Sequence, residues 1–531
     1  MSHAGFPFLT VLILVPGIGA AVVALLPRRP SVPWLHEAVG VAIAVATLVV
    51  AVCILVRFHP DDGGYQMVSD HVWAKELGIH WSLGVDGISL FLILMTAFFL
   101  PLTILGARAK RDPRSFVAWL LLLEAACLGS FVSLDLILFF VFFELTLVPS
   151  YFIIAGWGFA RRGYAAIKFF VYTFSGSVFL FVGILSIAFI HQSQTRVLTF
   201  ELPALMHTHV SGTAGVLLFL AFTAAFAVKA PIFPFHTWSP DAYAEAPVAG
   251  SVVLAGIMAK IGTYGIIRFD LNLFPQATRT LAPLLLTLAV LCILYGAVVA
   301  CVQRDLKRLV AYSSLAQIGF IVLGTFALTS EALDGAVIQM LNHGLVIAAL
   351  FILIGWIAKR RGGSWQVSNL RGLQKPFPVL AGCFTVAMLA SIGVPGLNGF
   401  VGEFLVLSGT FVAHRWWAVA AVIGVIIAAL YLLWAYQQAF HGEPDVPAGK
   451  EKASDLGWSE RLVIAPLILA IVFLGVYPKP VLDRITPSVN QLLAHVEQVT
   501  HTHQPTVGTP PAAAAPVAAD RAGTADGGGD R

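Results

Sequence analysis

Apolar residues fall along this chain in long blocks separated by short polar loops. Blocks long enough to cross a bilayer, about 20 residues, run over 8–26, 36–57, 87–106, 115–134, 136–157, 165–190, 214–235, 247–267, 281–301, 309–328, 334–358, 378–407, 416–440 and 461–477. Lipid offers an open backbone no hydrogen-bond partner, so each block is expected to be a helix. The pattern therefore predicts an all-α polytopic membrane protein of about fourteen transmembrane helices, with no room for a separate soluble domain. Past the last block, Val489, Leu492, Leu493, Val496 and Val499 recur at helical spacing, which predicts a short helix on the membrane surface. From about Gln504 the chain is rich in Pro, Ala and Gly (GTPPAAAAPVAADRAGTADGGGD), the composition of a disordered tail.

Composition agrees. Of 531 residues, 58% are hydrophobic and 11% charged, against roughly a quarter charged in soluble domains. This excludes a cytosolic enzyme, a disordered chain and a nucleic-acid binder. The formal net charge of +4 is too small to imply an anionic partner. Cys53, Cys127, Cys292, Cys301 and Cys383 stand alone in apolar stretches, so neither a disulfide framework nor a zinc or iron–sulfur site is expected. No helix pair presents an obvious facing histidine set for haem, and no Gly-rich phosphate loop occurs. The first apolar block has no basic residue ahead of it and is followed by Arg28 and Arg29. That is the reverse of a signal peptide, so a retained helix is expected.

Basic residues between blocks set the expected orientation. Alternate loops hold nineteen of the 32 Lys and Arg residues, among them Arg28, Arg108, Lys110, Arg161, Arg304, Lys307, Lys359 and Lys450. The other loops and the tail hold ten, including Arg268, Arg279 and Lys479. Both termini are therefore expected outside. Three lysines, Lys168, Lys229 and Lys260, have no loop to sit in.

Charge inside a membrane is expensive, costing from about 2.5 to more than 10 kcal/mol, so each such residue needs a reason. The set is Glu124, Glu144, Lys168, Lys229, Lys260, His343 and Glu403, with Asp86 and Asp135 near block ends, where a carboxylate could stay wet. Glu144 and Lys229 have opposite signs and lie deep in their blocks. They could form a static pair that fixes helix packing, but buried pairs are poor sources of stability, and intramembrane ionisable groups mark ion or proton paths. Pro231 and Pro234 follow Lys229, and Gly393, Pro395, Gly396 and Gly399 precede Glu403. Helices seven and twelve should break there. Broken helices in corresponding positions suggest two inverted five-helix repeats, spans 4–8 and 9–13. The expected segments are 1–113, 114–268, 279–440, 441–503 and 504–531. His343, with Gln339 and Asn342 nearby, suits either hydrogen-bonded packing or a relay. Lys260 has no acid on its own helix, so its charge must be met by water or another span.

The segments LDLILFFVFFELTLVPSYFI (134–153), KAPIFPFHTWSPDAYAEAP (229–247), RDLKRLVAYSSLAQIG (304–319), LNHGL (341–345) and GVPGLNGFVGEF (393–404) resemble the antiporter-like subunits of respiratory complex I. The likeness covers roughly residues 85–440. It implies proton translocation in the bacterial inner membrane, driven by quinone reduction in other subunits. Flavin, iron–sulfur clusters and quinone would lie in those subunits, with no cofactor or metal in this chain. The implied partners are the other membrane and peripheral subunits, including neighbouring antiporter-like chains, and lipid, but no nucleic acid. Residue by residue, the resemblance makes Lys229 the pumping lysine, Glu144 its modulating acid, Lys260 and His343 the middle of a polar axis, and Glu403 its terminal site. Glu124, Lys168 and His236 are weaker candidates. Multisubunit cation/proton antiporters and membrane-bound hydrogenases share these features.

Overall fold

In a computed structural model, the described residues are 6–27, 34–109, 111–210, 212–443 and 455–502. Arg28, Arg29, Lys110, Lys450, Lys452 and the tail from about Gln504, for which loops and disorder are expected, lie outside them.

The chain begins with α1 (Phe8–Leu25) and α2 (Leu35–Arg57). A two-stranded antiparallel hairpin follows, β1 (Gln66–Ala74) and β2 (Ile79–Val85), which the all-α expectation lacked. It is short and packs over one end of the bundle, where Ser82 accepts from Leu134 N at 2.9 Å. Next come α3 (Gly87–Gly106), α4 (Pro113–Val132), α5 (Leu136–Leu145), α6 (Leu147–Trp157), α7 (Arg162–Thr195), α8 (Leu202–Leu205) and α9 (Gly212–Lys229). The short α10 (Ser239–Glu245) precedes α11 (Val248–Leu273), which contains π-helical turns at Leu254–Met258 and Ile266–Asp270. Then follow α12 (Pro275–Cys301), α13 (Leu306–Ala327), α14 (Ser330–Arg360), α15 (Pro378–Ile392), α16 (Asn398–Ala413), α17 (Arg415–Phe440), α18 (Trp458–Val476) and α19 (Lys479–Thr500).

Thirteen helical segments among the described residues are long and apolar enough to cross a membrane, with α5 and α6 counted as one. The stretch expected as a twelfth span is instead two shorter helices, α15 and α16. Burial sorts the helices. The central α11 and α14 spans are wholly buried over their most apolar windows, whereas only 28% of the corresponding windows of α2 and α18 is buried. A helix that is apolar all round and wholly enclosed belongs to a protein interior, and one with an exposed apolar face meets lipid or another chain.

The C-terminal amphipathic helix starts earlier than its periodicity suggested. Its apolar face meets protein rather than the membrane surface. Val481, Ile485, Val489, Leu492 and Val496 are buried, and Ser488 Oγ accepts from Gly87 N at 2.9 Å. An added Cβ on Gly87 would run into the Arg484 carbonyl, so the glycine permits this close approach. Thr486 donates to Asp334 at 2.8 Å, and α19 straps the hairpin end of the bundle.

Candidate functional site

Asp86 and Asp135, expected to stay wet near the membrane face, are buried, at 3% and 0% exposure. Each caps a helix. Asp86 Oδ1 accepts from Ile88 N and Ser89 N, and Asp135 Oδ1 from Ile137 N and Leu138 N. A buried helix start leaves unpaired N–H donors that a capping carboxylate satisfies. Asp86 also takes Arg268 NH2 at 2.6 Å, while Arg268 donates to Tyr264 and Tyr65 hydroxyls at 3.0 Å. Sequence had placed Arg268 in an outer loop, but the second π turn of α11 carries it into the bundle.

The first break follows α9. Beyond Lys229 the chain turns through residues 230–238 before α10 resumes, because Pro231 and Pro234 cannot supply helical N–H donors. Trp238 Nε1 donates to the freed Val228 carbonyl at 2.8 Å. Lys229, 1% exposed, reaches a second interruption, Thr146, between α5 and α6. Pro149 in the first turn of α6 lacks the N–H that would continue the ladder across Thr146. The Lys229 ammonium donates to Phe143 O at 3.1 Å and Thr146 Oγ1 at 2.6 Å, and lies 4.3 Å from the Phe143 ring centre. A cation over an aromatic face regains part of its lost hydration.

Glu144 is one residue from Phe143 and so faces about 100° away around the helix, beside Ser177 of α7. Its charge and that of Lys229 act on each other through space, but the structure does not bring them into ion-pair contact. Glu124 is fully buried on α4 with both carboxylate oxygens unpartnered. One turn further along α4, Cys127 lies within range of both the Glu124 and the Lys229 charges. Lys168 lies in the second turn of α7, near its start rather than at mid-span, and pairs with Asp241 at 2.8 Å. His236 sits in the turn after Lys229, its ring stacked on Phe233 and edge-on to Tyr295, with Nδ1 unpartnered.

Across the centre, Gly262 lets α11 approach the end of α9, since an added Cβ would lie 2.6 Å from both Phe226 O and Ala230 N. Lys260, fully buried, donates to Ala255 O at 2.7 Å and lies 2.7 Å from His343 Nδ1 on α14. The first π turn spans Ala255, and such turns disturb the regular ladder and free carbonyls for other donors. One helical turn before His343, Gln339 Nε2 donates to Gln317 Oε1 at 2.8 Å, and Gln317 Nε2 donates to Glu403 Oε1 at 2.7 Å. Gln317 and Thr146 are neutral, so the pattern of ionisable residues in the sequence does not point to them. Nor does it point to Lys307, expected in a loop. That residue is 1% exposed at the start of α13.

The second break lies between α15 and α16. Gly393 ends α15 at φ 82°, a left-handed conformation that glycine adopts without strain. A Cβ there would strike Glu403 Oε2, and one on Gly399 would strike the Ala390 carbonyl. The glycines let the two half-helices close around Glu403, which is 5% exposed. Asn342 and Asn398 exchange amide-to-carbonyl bonds of 2.8 and 3.2 Å beside it. One His/Asp/Glu grouping among the described residues has metal-ligand spacing: Asp70, His80 and Glu201, with ligand atoms all within 4.8 Å. Within it His80 Nδ1 lies 2.9 Å from Asp70 Oδ1 and 3.8 Å from Glu201 Oε1.

Residues 133–428 match the family described as NADH:quinone oxidoreductase/Mrp antiporter, transmembrane. The chain belongs to this family. It is 40% identical over 504 residues to NADH-quinone oxidoreductase subunit M of Rhodobacter capsulatus, covering 93% of this chain and 97% of that one. It is 38% identical over 546 residues to subunit M of Mycobacterium tuberculosis strain CDC 1551, with 95% and 97% covered. Among solved structures, a chain of respiratory complex I from Thermus thermophilus with bound NADH superposes with a TM-score of 0.83 at 30% identity. That alignment covers 92% of this chain and 99% of the other. The family match spans both breaks, so Lys229, Lys260, His343 and Glu403 all lie within it.

Proposed function

We propose that this chain is a proton-translocating subunit of a bacterial NADH–quinone oxidoreductase, in the inner membrane with both termini outside. Its partners are the other membrane and peripheral subunits, and it works as a non-redox part of the translocase. The observation that carries this reading is two runs of buried polar groups inside the bundle: Lys260–His343 between α11 and α14, and Gln339–Gln317–Glu403 at the second break. His343 Nε2 and Gln339 Oε1 lie one turn apart on α14 without partners, and i, i+4 residues share a helix face. A water between them would join the two runs.

The switch is electrostatic. Lys229 is held by a carbonyl and a hydroxyl, both neutral, with Glu144 near but not touching. Bringing unit charges to about 4 Å at an effective dielectric near 20 is worth about 4 kcal/mol, about a thousandfold in proton affinity. A charge change in a neighbouring subunit that moves Glu144 toward or away from Lys229 therefore loads or discharges the lysine. The proton then passes by way of Lys260 and His343 to Glu403. Quinone reduction, with flavin and iron–sulfur clusters, belongs to partner subunits.

The test is Lys229→Ala in the assembled complex, reading proton uptake by vesicles against NADH oxidation. Loss of pumping with assembly intact is expected, and normal pumping would overturn the reading. A Glu144→Gln complex should assemble and turn over more slowly. The family also takes in Mrp antiporters, so a cation/proton antiporter subunit is the second reading. Co-purification with flavin and iron–sulfur proteins favours the first, and isolation with small membrane subunits lacking redox centres favours the second.

A further inference from the structure

We propose that α13 couples the two interrupted helices, with Lys307 and Gln317 as positioning residues for the two breaks. This rests on the translocation reading and names residues that act through others. Lys307 Nζ donates to Ala244 O at 2.9 Å and to Ala246 O. These carbonyls end α10, where helix geometry leaves acceptors unpaired and the dipole favours a cation. The ammonium is also enclosed by the rings of Phe159 and Trp365, 4.7 and 5.2 Å away. The next residue, Arg308, donates to Asp241 Oδ1 at 2.9 Å, opposite Lys168 on Oδ2. Consecutive residues of α13 therefore grip α10 at both its start and its end, and α10 is the half-helix that resumes after Lys229.

Ten residues further along α13, about 15 Å, Gln317 holds Glu403 at the second break. Nearly every residue of α13 is buried, and the helix contains no proline. Close-packed interiors transmit displacement rather than absorb it, so movement of α10 carries the Gln317 amide with it. An amide N–H bonds a charged carboxylate more strongly than a neutral carboxylic acid, which keeps one acceptor oxygen and gains an O–H donor. Protonation of Glu403 thus loosens its hold on Gln317, whose other end is bonded to Gln339. The state of the second break is in this way felt at the first.

The test uses the intact complex reconstituted in lipid vesicles, with hydrogen–deuterium exchange of segment 239–245 and the pumping rate as readouts. The hydrogen bonds of Gln317 go to Ser391, Glu403 and Gln339, none of them in α10, so a purely local role for it would leave that segment unmoved. Gln317→Leu is expected to raise exchange there at least about threefold and to slow pumping about threefold or more. Lys307→Met is expected to do the same, Lys307→Arg to recover at least about half of the loss, and the double variant to match the worse single one. Unchanged exchange in 239–245 in Gln317→Leu, or losses that multiply in the double variant, would overturn the coupling. If Lys307→Met does not assemble, Gln317→Leu and Lys307→Arg decide alone. Lys229→Ala separates the two ideas. Normal pumping there sinks the relay itself, whereas lost pumping with unmoved exchange in Gln317→Leu sinks only the coupling.

Discussion

Lys260 on α11 and His343 on α14 lie 2.7 Å apart in the fully enclosed centre of the bundle, with no carboxylate among the described residues bonded to either. Lys260 Nζ meets the imidazole at Nδ1, and the lysine is otherwise held by a single backbone carbonyl. His343→Leu strands a buried donor and should destabilise the subunit by about 1–3 kcal/mol, read as lower thermal stability of the complex. Lys260→Met also removes the costly ammonium and should destabilise less, while lowering pumping at least about tenfold. Greater instability in Lys260→Met than in His343→Leu would contradict this picture.

Thr146 offers Lys229 its shortest hydrogen bond. Thr146→Val keeps the shape and removes the acceptor, at about 1 kcal/mol for one net hydrogen bond, or about fivefold in an equilibrium. Pumping should slow by that order, with assembly unaffected. A Thr146→Ser complex should pump normally. Equal rates for the Val and Ser variants would count against this role.

Arg268 and Asp86 form a buried pair at 2.6 Å. Asp86→Asn leaves a buried guanidinium uncompensated and should cost about 3–5 kcal/mol, whereas replacing both by apolar residues of similar volume should be far milder. Thermal inactivation of the two complexes checks this, and equal losses would show that the pair is not energetically linked.

The hairpin carries a pH-sensitive contact. Burial pulls the His80 imidazole down, but Asp70 at 2.9 Å, with Glu201 and Asp135, outweighs it, so His80 is held above its ordinary value. A raised folded value means the protonated pair stabilises the folded state fully below the unfolded value of about 6.5. That stabilisation is lost as pH rises through the folded value. Because the pair is partly exposed, the effect should stay under about 1 kcal/mol. Backbone exchange in β1 and β2 should rise between about pH 5.5 and about pH 8.5 by more than in a His80→Ala complex, and identical profiles would remove His80 from the account.

Much of the architecture was legible because lipid leaves the backbone few choices. Blocks of about 20 apolar residues become helices wherever they fall, and proline or glycine clusters beside Lys229 and Glu403 mark breaks whatever the neighbours are. The hairpin was not legible. Its strands are held by contacts to residues 134 and 135, far along the chain. Nor was the burial of Asp86, Asp135, Arg268 and Lys307, since position near a block end does not say what will pack over it.

By itself the sequence determined where helices form, where two of them must break, and which charged residues lack a loop. Those are local facts of solvation and backbone hydrogen bonding. Only the tertiary structure decided what meets what: that Lys229 faces a hydroxyl and a carbonyl instead of Glu144, that Lys260 meets His343, and that a glutamine links helix α13 to Glu403. Such pairings depend on helix rotation and close approach across residues far apart in the chain, and a one-residue step around a helix turns a side chain by about 100°.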